Sequence, residues 1–184
     1  MVRFSHVILA GIAAAGILST GLMAQDAAEA PPSAFAPANT VAARQGLKIQ
    51  VADMRAGIEA AVANGDSESF ESLAADFATI AAIVEAFPHL FPADTNPDAI
   101  TAAGLDVSTD ASPAIWDDFA AFAAMAKSVA ATARAASEAP DFESLAAAST
   151  GVWAACTSCH DAYLVYDPFA AMEGMNVDLD SPFF

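Results

Sequence analysis

Basic side chains are scarce in this 184-residue chain. Only six lysines and arginines stand against 23 aspartates and glutamates, which gives a formal net charge of −17 at pH 7. Because a charge of this sign repels phosphate groups, neither nucleic acid nor an anionic membrane surface is expected as a partner. A redox partner protein with a basic surface would instead be attracted by this field.

The chain also lacks the patterns of β structure and of nucleotide binding. It has no stretch of alternating apolar residues, no internal repeat and no glycine-rich phosphate loop. Four segments instead carry apolar residues at intervals of three and four, which is typical of amphipathic helices. Two of the three links between them are short and one, from about 88 to 112, is long. This pattern predicts an all-α fold, namely an antiparallel four-helix bundle.

Helix boundaries can be predicted from capping residues. Asn64-Gly65 suits the end of the first helix, and Asp66 or Ser67 suits the start of the second. Ser112-Pro113 predicts the start of a third helix that runs to about residue 138. Asp141 is the expected cap of the fourth.

The N-terminus has the pattern of an export signal. Arg3 precedes an apolar run from Val7 to Met23, and Ala24 suits a cleavage site before Gln25. The run is short for a membrane span, although an uncleaved anchor is the alternative, and no later segment is expected to span. We therefore predict a signal peptide at 1–24, a flexible segment at 25–38, the bundle at 39–166 and a C-terminal tail at 167–184.

The chain has only two cysteines, and both fall in the pentad Cys156-Thr157-Ser158-Cys159-His160. This C-x-x-C-H spacing is the attachment signature of c-type haem, in which two thiols bond to the porphyrin and the histidine coordinates iron. On a helix, residues i and i+3 share a face, so both sulfurs can reach one porphyrin edge. We expect one covalent haem c per chain with His160 as the proximal iron ligand. Because bacteria attach haem c outside the cytoplasmic membrane, the pentad and the leader both predict a periplasmic protein.

Two other interpretations of the pentad are a redox-active dithiol and half of a zinc site. A redox dithiol usually opens a helix after a strand, and no strand pattern precedes this pair. A zinc site needs further ligands, and His89 is the single other histidine after the leader. Haem attachment is therefore the favoured interpretation.

Several segments between residues 40 and 166 resemble the cytochrome c′ (c-prime) family. Arg44-Gln45 resembles its Arg-Gln pair, and residues 87–92 resemble its Phe/Trp-Pro loop. Residues 113–119 are similar to its Pro-Glu-Ile-Trp-Ser-Asp signature, and residues 156–163 to Cys-x-x-Cys-His-Asp-x-Tyr. The resemblance implies a four-helix bundle with haem on the C-terminal helix.

The resemblance also implies roles for residues outside the pentad. Arg44 would lie near a haem propionate, whereas the alternative is a solvated helix cation. Trp116, Phe119 and Phe122 would wall the haem pocket, although aromatic residues at this spacing are also ordinary bundle core. The family usually has a basic residue at the position of Leu164, so its proximal chemistry does not carry over.

The residue on the distal side of the iron decides the function of such a protein. In the family this residue lies four positions after the helix-one arginine, which is Lys48 here. Lys48 and Met54 are both candidate sixth ligands, and Lys48 could alternatively reach towards a propionate. Leu47 would make an apolar lid if the register differs by one residue, so an open or apolar distal side is also expected.

These features predict a haem protein that transfers single electrons, with binding of a small gas such as nitric oxide as the alternative. A peroxidase would need a distal acid–base group, usually histidine, and the first helix has none; we therefore do not expect an enzyme. A homodimer through the first two helices is a further expectation from the resemblance. Its candidate contact residues are Val51, Ile58, Phe70 and Phe77.

Overall fold

The computed structural model describes residues 29–165, and four long helices dominate this part of the chain. They form the predicted antiparallel four-helix bundle, so the all-α fold is confirmed. The expected signal peptide (1–24), the first residues of the 25–38 segment and the tail (167–184) lie outside the described residues. In chain order, the helices are α1 (Pro37–Asn64), α2 (Phe70–Ala86), α3 (Pro97–Ala102), α4 (Ala114–Asp117), α5 (Phe119–Ser137) and α6 (Phe142–Tyr163).

Two predicted helix ends are confirmed by local hydrogen bonds. Gly65 ends α1 in the left-handed conformation, with φ 65°, and the Asp66 N–H donates to the Ala61 carbonyl at 2.9 Å. At the start of α6, the Asp141 carboxylate accepts the Ser144 N–H at 2.8 Å, and this bond lowers the pKa of Asp141. Both ends are therefore fixed by residues that the sequence singles out.

The starts of the second and third helices differ from the prediction. A 3-10 turn, Ser67–Ser69, precedes α2. Asp66 comes directly before that turn and Ser67 is its first residue, so neither caps the α-helix. The predicted third helix is broken at Asp118, where φ is −141°. The Asp118 carboxylate accepts the Ala121 N–H at 3.0 Å, so this residue leaves the short α4 and caps α5.

The long connection between α2 and α4, which we call the crossover, has local structure of its own. It contains two 3-10 turns (Phe87–Leu90 and Ala93–Thr95) and α3, which Asn96 caps. Its end pairs with the chain that follows α6: the Ser112 N–H donates to the Tyr163 carbonyl at 2.9 Å, and the Val165 N–H donates to the Asp110 carbonyl at 2.8 Å. The crossover is thus attached to the C-terminal end of the last helix.

The main core lies between α2, α5 and α6. Small side chains on α5, including the fully buried Ala133 and Ala136, allow that helix to approach its neighbours closely. Helix α1 makes its main backbone contacts with α2 and with the crossover. Three long helices therefore share one tight core, and α1 packs less completely along the side that faces α6.

Two of the candidate dimer contacts, Ile58 and Phe77, are fully buried in this core. Their side chains are already covered by the same chain, so these two residues act as ordinary bundle core. Val51 and Phe70 are half-buried and pack against the core. An intersubunit contact through α1 and α2 would therefore need other residues.

Among the described residues, the segment Ser67–Leu90 is long and apolar enough to cross a membrane, contrary to our expectation. It spans 24 residues and contains an 18-residue stretch with a mean hydropathy of 1.4. In the structure this segment comprises α2 and its two flanking turns, and the apolar side chains of Leu73, Phe77 and Ile80 are buried in the bundle. Its hydropathy reflects an alanine-rich helix that contributes one face to the core.

We predict that Phe77→Ala lowers the free energy of unfolding by about 3–5 kcal/mol, because it leaves a cavity beside Trp153. The Phe77 ring is fully buried and lies 5.6 Å from the Trp153 ring, centroid to centroid. Denaturation by urea measures the change. Phe35, whose side chain is 68% exposed, provides the matched control, and Phe35→Ala should change stability by less than about 0.5 kcal/mol. Equal effects of the two substitutions would contradict this assignment of the core.

Candidate haem site

The pentad occupies the last two turns of α6, which ends at Tyr163. Cys156 and Cys159 are half-buried, carry no disulfide and lie three residues apart on one helix face. His160 follows directly and is exposed. The local geometry therefore presents two thiols and an imidazole together, as attachment of a planar group to one face of the helix requires.

The two thiols are poorly suited to dithiol redox chemistry. Burial raises the pKa of Cys156, and the nearby Arg55 opposes this only in part. Burial, with a smaller effect from Cys156, also raises the pKa of Cys159. A redox-active Cys-x-x-Cys pair needs a lowered thiol pKa, because the thiolate is the nucleophile. Among residues 29–165, no group of three or more His, Cys, Asp and Glu residues is arranged to hold a metal ion.

An apolar strip of α1 completes the surroundings of the pentad. Leu47, Val51 and Met54 recur along one face of α1 and are only half-buried. Val51 and Met54 pack against the same core cluster as Cys156. Apolar side chains on two neighbouring helices are thus partly exposed, although full burial would stabilise the bundle. An apolar planar group between these faces would cover them, so the residues present fit a haem.

Arg44 is the least expected buried side chain, with 3% of its surface exposed. Its guanidinium donates to the hydroxyls of Thr95 and Thr109, both at 3.4 Å, and lies 4.3 Å from the centre of the Phe91 ring. Burial lowers its pKa to about 10. Within the described part of the chain, no carboxylate lies within 4.0 Å of this cation.

A buried cation without an acidic partner is costly, because burial disfavours the charged form. The lowering of its pKa to about 10 corresponds to on the order of 3 kcal/mol. Arg44 is therefore not the solvated helix cation of the alternative interpretation. A bound anion that reached the guanidinium would offset this cost, and a haem propionate has the required charge.

The predicted aromatic wall lies at the same end of the bundle. The Trp116 indole N–H donates to the carbonyls of Phe91 and Pro92 at 3.1 and 3.2 Å, which joins α4 to the crossover. Phe119 and Phe122 are buried, and the Phe122 ring packs edge-on against Tyr163 at 5.1 Å between centroids. Because Tyr163 follows His160 by three residues, this aromatic cluster borders the pentad.

The two candidate distal ligands have different surroundings. The Lys48 ammonium lies 3.8 Å from the Asp110 carboxylate of the crossover, in a partly exposed ion pair. Met54 is half-buried and packs against the main core cluster. Asp110, Thr95 and Thr109 were not identified from the sequence. No sequence motif marks these crossover residues, and only the fold brings them to α1.

Comparisons with known proteins are consistent with this site. Residues 39–164 match the family model described as Cytochrome C′. Among solved structures, the chain is similar to cytochrome c′ from Rubrivivax gelatinosus, with 24% sequence identity and a TM-score of 0.57. The alignment covers 70% of this chain and 96% of that one, and at this identity it supports the fold alone. A comparison with curated proteins found no match.

Proposed function

This chain belongs to the cytochrome c′ family, and on that basis we propose that it is a periplasmic c-type cytochrome that transfers single electrons. Members of the family are haem proteins of the bacterial periplasm. The observation that carries the proposal is the pentad at the end of α6, with two unbridged thiols on one face and an adjacent exposed histidine. The haem would supply reversible one-electron chemistry when bound.

Each residue of the site has a distinct role in this proposal. Cys156 and Cys159 would hold the porphyrin through thioether bonds, and His160 would coordinate the iron. The Arg44 guanidinium would pair with a propionate and neutralise its charge away from water. Trp116 and Phe119 keep water from the aromatic end of the pocket.

Exposure and charge both support exchange of electrons with a protein partner. His160 and the outer face of the pentad helix are exposed, so one edge of the site lies near the surface. The net charge of −17 would attract a redox partner with a basic surface. Such attraction between opposite charges increases association rates and weakens as salt is added.

Binding of a small gas is a second candidate function, and one observation favours it. Both candidate sixth ligands make other contacts, because the Lys48 ammonium pairs with Asp110 and the half-buried Met54 packs against the core. An iron that these residues leave open can bind nitric oxide or carbon monoxide. We do not propose an enzymatic role, because α1 carries no histidine that could serve as a distal acid–base group. A homodimer remains a proposal from the family resemblance.

Covalent attachment is the first expected outcome. Produced with its leader in a bacterium that matures c-type cytochromes, the protein should keep its haem after denaturation in acid. Cys156→Ser with Cys159→Ser should lose this retained haem, because no thioether bond can form. Mass spectrometry of the denatured chain measures the retained group. A double variant that retains covalent haem would refute the role of the pentad.

Replacement of Arg44 tests its pairing with a propionate. Arg44→Met should lower the midpoint potential by roughly 30–60 mV, because loss of a nearby buried cation disfavours the added electron. The control is Arg134→Met, since Arg134 is exposed and pairs with Glu85. That change should shift the potential by less than about 10 mV because of solvent screening. Potentiometric titration measures both variants, and equal shifts would contradict the assignment of Arg44.

Optical spectra separate the two candidate functions. An open site should give a high-spin ferric spectrum and a reduced Soret band that shifts when carbon monoxide is added. A six-coordinate electron carrier should give a low-spin spectrum that carbon monoxide does not change. From the surroundings of Lys48 and Met54, we expect the first result.

A further inference from the structure

One contact fixes how α1 and α6 face each other. The Arg55 guanidinium lies 5.1 Å from the centre of the Trp153 ring, so these two residues are at the same level of the bundle. At the other end, Lys48 pairs with Asp110, whose carbonyl accepts the Val165 N–H. Higher numbers on α6 thus correspond to lower numbers on α1, and the two helices are antiparallel.

This register places Lys48 opposite His160. Lys48 lies seven residues before Arg55 on α1, and His160 lies seven residues after Trp153 on α6. Seven residues are close to two turns, so each step returns to the same helix face and advances about 10.5 Å. The step from Arg55 to Lys48 and the step from Trp153 to His160 have equal length. Because the helices are antiparallel, both steps run in the same direction along the bundle, so Lys48 and His160 face each other across the same interface.

Met54 is at a different level. It is next to Arg55 and therefore near the level of Trp153, six residues and about 9 Å along the helix from Lys48. It is half-buried and packs against the main core cluster. A side chain at that level does not face a group centred opposite His160, so Lys48 is the better placed of the two candidates.

The ion pair of Lys48 agrees with this placement. The Lys48 ammonium lies 3.8 Å from the Asp110 carboxylate. Its partner Asp110 belongs to the segment that pairs with the end of α6, so the ion pair holds the lysine stem along that side of the interface.

We propose that Lys48, positioned by Asp110, places its ammonium group over the open sixth coordination position, where it stabilises anionic ligands of the ferric haem. This inference rests on the proposed function, since it requires that the haem is attached to the pentad. The lysine acts here as a cation and hydrogen-bond donor, not as an iron ligand. Its expected preference is for small anions such as azide and fluoride over neutral ligands of the same iron.

The physical reason is the sign and position of the charge. An ammonium has three N–H donors and attracts an anion, whereas it gives a neutral ligand little electrostatic stabilisation. The Lys48 side chain is 46% exposed, so solvent weakens the attraction but does not remove it. Asp110 pairs with the same ammonium and repels anions, so it should reduce their affinity.

Ligand titration of the ferric haem protein tests the proposal. Affinities for azide, fluoride and neutral imidazole are measured optically in the natural protein and in Lys48→Leu and Asp110→Asn. We expect Lys48→Leu to lower the ratio of azide to imidazole affinity by about tenfold. Asp110→Asn should raise the ratio several-fold. Lys127→Leu removes the same charge from an exposed site on α5 and should change the ratio less than about twofold.

The possible failures are distinguishable. If the natural protein carries haem but Lys48→Leu leaves the ratio unchanged, the lysine does not face the ligand and this inference is wrong. A low-spin ferric spectrum that becomes high-spin in Lys48→Leu would also overturn it, because the amine would then be an iron ligand. A protein without haem would instead refute the proposed function, and this inference with it.

Discussion

The buried guanidinium of Arg44 is the interaction on which the haem end of the bundle depends. It connects α1 to the crossover through Thr95, Thr109 and the ring of Phe91. The crossover in turn is hydrogen-bonded to Trp116 and to the end of α6. A cation of this kind is costly to bury without an anion, and the fold places it where a propionate of the proposed haem could provide one. The geometry at this end therefore suits a bound group that carries a negative charge.

The core between α2, α5 and α6 is closely packed without any bound ligand. Buried alanines on α5 bring it close to α2 and α6, and Phe77 and Trp153 stack within that core. The strip of α1 that includes Leu47, Val51 and Met54 is less well covered. The bundle thus combines a closely packed three-helix core with one interface whose apolar area is left for a ligand. This division of packing positions the site while the rest of the protein keeps its stability.

Much of this organisation could be predicted from the sequence because it depends on local signals. Apolar periodicity predicts the long helices, and Gly65 and Asp141 mark two of their ends. The break at Asp118 was missed because an aspartate followed by a helical pattern can continue one helix or cap a new one. The partners of Arg44 and Lys48 were also missed. Thr95, Thr109 and Asp110 lie more than fifty residues away in a segment without periodicity, and only the three-dimensional path of the crossover brings them to α1.

The pairing of Asp110 and Ser112 with Tyr163 and Val165 has a consequence for the motion of His160, the proposed iron ligand. His160 lies within the last turn of α6, where helices commonly fray and amide protons exchange rapidly with solvent. Here that turn is held by two hydrogen bonds to the crossover and by the bond from the Leu164 N–H to the His160 carbonyl, at 2.9 Å. Local opening at the histidine must then break contacts with the crossover as well. We therefore expect the amide proton of His160 to exchange with solvent at the slow rate of the stable helices, and not at the rapid rate of a frayed helix end.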